Sequence, residues 1–134
     1  MVGVGRTQAE IRLVLAHHRA DGVALASNKD GDAIQFVIHG KHYQFKVARP
    51  RIEDVRRYFP TGSRLSADYK IEREWKRLWR ARLLWLRATL EFASSEGDGE
   101  VMRSLAAYLL MPDGRTTVGD ALEAGGVALL GDGK

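Results

Sequence analysis

The sequence predicts an α+β fold: an N-terminal helix, a three-stranded antiparallel β-meander, then a short helix, a long basic and Trp-rich helix, and a C-terminal helix packed on the sheet. Three observations carry this expectation. Apolar residues recur at helical spacing after Thr7, "AIQFVIHGKHYQFKV" alternates with period two, and "EREWKRLWRARLLWLRATLE" separates its tryptophans from most of its arginines on a helical wheel.

The first helix is expected to open at "TQAE", where Thr7 stands three residues before Glu10, the spacing of a capping box. Ile11, Val14, Leu15 and His18 then form one stripe, and Gly22 is suited to end it. His17 and His18 are adjacent, so on a helix they point about 100° apart and cannot share a metal ion without outside ligands. Val23 to Ser27 reads as a strand, and "NKDGD" as a turn with Gly31 at positive φ. A hairpin turn at His39-Gly40 sets Ile38 opposite Lys41, Phe36 opposite Tyr43, and Ile34 opposite Phe45. That register gathers Ile34, Phe36, Tyr43 and Phe45 on one face. Gln35, Val37, His42, Gln44 and Lys46 fall on the other, expected to be a solvated sheet surface or a nucleic-acid platform. Pro50 closes the sheet, because it lacks an amide donor. A short helix follows from Ile52 to Phe59, stopped by Pro60 and Gly62.

The stretch from Glu72 to Glu91 holds three tryptophans, five arginines and a lysine. Ile71, Trp75, Leu78, Trp79, Leu83, Leu86 and Leu90 fall within a sector of roughly 140°, with Trp85 and Phe92 at its edge. The tryptophans are therefore expected in the core. Arg73, Lys76, Arg77, Arg80 and Arg87 occupy a second sector about 100° wide. This stripe is expected either to meet the acidic C-terminal part or to lie open for an anion. Arg82 projects from the middle of the apolar sector and needs a partner, for which Glu100 or Asp120 is the expected carboxylate. "SSEGDGE" reads as a linker, followed by a helix from about Gly99 to Leu110 packed on the long one. Pro112-Asp113-Gly114 is a turn, and Thr117 to Asp120 lead into a last short helix near Leu122. A single domain over 1–126 and a flexible tail over 127–134 are expected.

Charge is unevenly placed along the 134 residues: zero over 1–40, +9 over 41–87 and −5 over 88–134. A basic middle beside an acidic end points to a polyanion partner or to internal matching of the two parts. The chain has no cysteine, which excludes disulfides, thiolate metal sites and cysteine nucleophiles. No run approaches the roughly 18 apolar residues of a membrane span, so a cytoplasmic protein with no membrane partner is expected. No Walker-type Gly-Lys-Ser/Thr loop occurs, and "DGD" and "EGDGE" lack the ligand run of an EF-hand. No catalytic residues, cofactor or metal are expected, and an enzyme is not.

Three motifs carry a resemblance. They are IxFxxxGxxxxF (Ile34, Phe36, Gly40, Phe45), WRAxLLxxRAxLE (Trp79 to Glu91) and PDGRT (Pro112 to Thr116). With the order of elements, the chain resembles a small family of phage and prophage proteins without assigned activity. The resemblance implies a phage or mobile-element origin, a host-cell location and nothing catalytic.

Two functions are therefore expected to compete. One is a phage-type nucleic-acid-binding accessory protein, nonspecific or directed to single strands. In it Lys41, Lys46, Arg49, Arg51, Arg56 and Arg57 join Arg73, Lys76, Arg77, Arg80 and Arg87 along the phosphate backbone. The other is a protein-binding module acting on a host or phage protein, or a self-associating part, with the tryptophans as anchors. Exposure of Trp75, Trp79 or Trp85 separates the two.

Overall fold

In the computed structural model, which describes residues 3–56 and 66–131, the elements follow the expected α+β order. They are α1 (Val4–His17), β1 (Gly22–Asn28), β2 (Gly31–Ile38), β3 (Lys41–Ala48), α2 (Ile52–Arg56), α3 (Ala67–Glu96), α4 (Asp98–Ser104), a single 3-10 turn (Ala106–Tyr108) and α5 (Val118–Gly131). The expected continuation of α2 to Phe59 and its stop at Pro60 and Gly62 lie outside the described residues.

The sheet has antiparallel order β1-β2-β3. Its hairpin is built as the sequence requires: His39 and Gly40 both take positive φ, 50° and 75°, the condition for a two-residue type I′ turn. Ile38 pairs with Lys41, Phe36 with Tyr43 and Ile34 with Phe45. The alternation then buries Ile34, Phe36, Ile38, Tyr43, Phe45 and Val47 against the helices. Gly31 turns between β1 and β2 with φ 152°, and a Cβ there would stand 2.4 Å from the Val47 carbonyl oxygen.

The opposite sheet face departs from a simple solvated surface. Gln44 is buried; its side-chain amide donates to the Arg115 carbonyl at 3.0 Å and its oxygen accepts from Gln35 at 2.6 Å. The "PDGRT" turn thus covers part of this face and satisfies the polar group it buries.

At α1 the expected capping box does not form. The helix starts one turn earlier, at Val4 behind an N-cap Gly3 that makes no side-chain cap, because Val4 itself packs on the core. Thr7 consequently lies inside the helix and is buried. The helix ends at His17, before Gly22: Arg19 adopts the left-handed conformation at φ 64° and the Ala20 amide reaches back to the Leu15 carbonyl at 2.9 Å, a Schellman arrangement with arginine in glycine's usual place.

The second half of the chain packs around α3. The Ser66 hydroxyl caps its N-terminus by accepting from the Tyr69 amide at 3.1 Å. Trp75, Trp79, Leu83, Leu86 and Leu90 are buried as the wheel requires, against Ile11 and Leu15 of α1 and Phe45 of β3. Trp85 is only partly buried, and Phe92 is exposed. The expected helix from Gly99 to Leu110 is cut short: α4 stops at Ser104 because Leu109 and Leu110 form bridges to Tyr43 and Thr117 instead. Pairing to the sheet edge outweighs helical propensity here. The last helix has a reciprocal cap, with Asp120 accepting from the Thr117 amide at 3.0 Å and the Thr117 hydroxyl accepting from the Asp120 amide at 3.1 Å. It runs to Gly131. No described helix is long and apolar enough to cross a membrane.

Candidate nucleic-acid interface

The basic sector of α3 faces away from the sheet, since the opposite sector is consumed by the core. Tyr69, Glu72, Arg73, Lys76, Arg77 and Arg80 of α3, with Thr7 of α1, line a cleft of about 690 Å³. Four of the stripe's five cations therefore share one concavity. Arg87 lies further along, in a smaller groove with Glu10, His17, His18 and Glu91. Leu84, half exposed, sits between these two stretches of charge.

The stripe is partly neutralised, though by residues other than those expected. Arg77 pairs with the buried Glu74 one turn before it in α3. Arg80 approaches Glu10 of α1 at 3.9 Å, with both side chains partly exposed. The two carboxylates named from sequence are occupied elsewhere: Glu100 pairs with Arg103 at 3.5 Å and Asp120 caps α5. Arg73, Lys76 and Arg87 have no carboxylate within ion-pair distance among the described residues.

The remaining expected contacts divide. Arg49 stands at the cleft's margin, with its guanidinium 5.5 Å from the centre of the Trp75 ring and 3.4 Å from Glu72. Arg51 is exposed and turned to Asp54 at 3.9 Å. Arg56 ends α2, and Arg57 lies outside the described residues. Lys46 projects from the opposite sheet face, where its charge helps hold Asp120 below the usual carboxylate range, after the hydrogen bonds from Thr117. Lys41 is at the β2–β3 hairpin. Among the described cations, four of α3 share the cleft, and Arg49 pairs with Glu72 of its lining.

Arg82 is resolved differently from the expected salt bridge. Its guanidinium lies 5.1 to 5.5 Å from the ring centres of Trp85, Tyr108 and Phe45, and it donates to the Tyr108 hydroxyl at 3.0 Å. An aromatic cage and one hydroxyl stand where a carboxylate was expected, and the charge keeps access to solvent because the residue is only partly buried.

Sequence reasoning missed Tyr69. It is 44% exposed on the cleft wall, four residues before Arg73 and seven before Lys76, and that spacing was the available signal. No group of three or more potential metal ligands occurs around the histidine pair or elsewhere among the described residues. His17 and His18 pack edge to face at 5.1 Å, and His18 Nδ1 meets the Ser94 hydroxyl at 2.9 Å. Burial, and then His17, lower the His18 pKa, while Glu91 raises it.

Comparisons with protein-family models, with curated proteins and with solved structures find no match. The phage and prophage resemblance accordingly rests on the three quoted motifs and the order of elements.

Proposed function

We propose that this chain is a phage-type accessory protein that binds nucleic acid without base-sequence specificity, seating the phosphate backbone on the basic face of α3. The observation that carries this reading is one cleft walled by Arg73, Lys76, Arg77 and Arg80, two of which have no carboxylate partner among the described residues. Unpaired cations in a concavity offer a polyanion full charge without first breaking an ion pair. The Arg80–Glu10 contact is long and partly exposed, and pairs of that kind contribute about 0.2–1 kcal/mol, little enough for a phosphate to displace. Asn and Gln, the residues that read adenine, are absent from the described walls of the cleft. Two of the three anchors of the competing protein-binding reading are withdrawn, with Trp79 0% and Trp75 4% exposed, while Trp85 is only partly buried.

The test is fluorescence anisotropy with labelled single- and double-stranded DNA and RNA at about 50 and 200 mM salt. The wild type is expected to bind and to weaken steeply with salt. Arg73→Ala with Lys76→Ala removes two phosphate contacts and flattens the logarithmic salt slope by about 1.4 on single strands. Arg77 is left in place so that Glu74 keeps its partner. Absence of binding to every probe at the lower salt sinks the reading and directs attention to a protein partner.

A further inference from the structure

We infer that the α3 cleft takes an unstacked nucleotide, with its base lying on the Tyr69 ring and its phosphates held by Arg73 and Lys76. This rests on the phosphate-binding reading above and adds to it the chemical class of ligand. Three features converge. First, the cleft's volume of about 690 Å³ lies within the range of sites that enclose small molecules, about 300–1,000 Å³, so it has room for a base and its sugar. A phosphate track along a rigid duplex needs no such depth. Second, Tyr69 is the aromatic among the described lining residues, and the residue is 44% exposed although it belongs to the first turn of a long helix. A base stacked on it would cover apolar area now in contact with water, and stacking accepts any base because each has a π-face. Third, Tyr69, Arg73 and Lys76 follow one another at four and three residues, rising about 10 Å along one side of the helix. A base at one end and its phosphates along the cations fit that order.

Paired bases in a duplex are stacked within the helix and reach such a cleft only after extrusion, which costs unpairing energy. The occupant is therefore a nucleotide of a single strand or a free nucleotide, and both present the same base-plus-phosphate chemistry.

Tyr69→Ala and Tyr69→Phe separate this inference from the reading beneath it. The Ser66 cap is made to the backbone amide of Tyr69, so either substitution leaves the helix start intact. Four probes are titrated at low salt: a short oligothymidylate, the same strand in duplex, an abasic strand of equal length, and thymidine monophosphate. Tyr69→Ala is expected to weaken the oligothymidylate roughly tenfold or more, to leave the abasic strand and the duplex unchanged, and to be rescued by Tyr69→Phe. Comparable binding of thymidine monophosphate identifies a free nucleotide as the occupant; binding of the strand alone identifies single-stranded nucleic acid. If Tyr69→Ala binds oligothymidylate as the wild type does, while Arg73→Ala with Lys76→Ala weakens it, the stacked nucleotide is overturned and the phosphate contact stands. If no probe binds the wild type, both are overturned.

Discussion

The sheet-facing and outward sides of α3 handle the same residue type in opposite ways. On the inner side, Arg82 is surrounded by Phe45, Trp85 and Tyr108 and donates to a hydroxyl. On the outer side, Arg73 and Lys76 line a cleft and have no ion-pair partner among the described residues. Counting cations along a helix therefore says little about ligand binding. What separates a structural cation from a binding one is how much of its hydrogen-bonding and charge is already met by its neighbours.

Three substitutions and one change of pH probe this contrast and its surroundings, in decreasing order of effect. Trp79→Ala, at the centre of the inner side, is expected to cost about 3–5 kcal/mol in urea denaturation, as for other large aromatic truncations in a packed core. Trp79→Phe should cost clearly less. The Trp79 Nε1 donor is buried without a hydrogen-bond partner among the described residues, so removing it relieves a penalty that offsets part of the lost packing. Arg82→Met replaces the caged guanidinium by an unbranched apolar chain and is expected to cost no more than about 1–2 kcal/mol, the scale of the ring contacts. Its nucleic-acid affinity should equal that of the wild type; a loss matching that of Arg73→Ala with Lys76→Ala would erase the distinction between the two sides.

The smallest effect is a pH response in the "PDGRT" turn. Hydrogen bonds from the Arg115 amide, the Thr116 hydroxyl and the Thr116 amide lower the Asp113 pKa from 3.8 to about 2. A carboxylate depressed in the folded state contributes stability above its unfolded value and loses it as pH falls through the folded one. The turn should therefore loosen between about pH 4 and pH 2, seen as a midpoint near 2 for the Thr116 amide resonance in NMR. A midpoint near 3.8 would contradict these contacts.

The meander and the buried stripe of α3 were legible because each is dictated by local periodicity: the His39-Gly40 turn fixes the register, and Trp75, Trp79, Leu83, Leu86 and Leu90 recur at helical spacing. What local pattern could not supply was set by distant partners. Val4 lengthens α1 by packing on the core, and Leu109 leaves a helical pattern to bridge Tyr43. At the candidate site the five α3 cations were readable as one face, but their sorting was not. Glu74 is three residues before Arg77 and could have been paired from sequence; Glu10 reaches Arg80 only because α1 packs beside α3. Tyr69 was missed because a lone exposed aromatic gains meaning only from the cleft around it.

The bridges from Leu109 and Leu110 have a consequence for self-association. The Leu110 amide donates to the His42 carbonyl at 2.8 Å, so part of β3's outer row of backbone groups is already paired. Strand addition from another chain, the usual route to edge-to-edge aggregation, is obstructed there. β1 forms the opposite edge, with Ala24, Ala26, Ser27 and Asn28 exposed along it. If two copies of this chain join their sheets, β1 is where the seam forms, and a proline introduced there would block it without touching the α3 cleft.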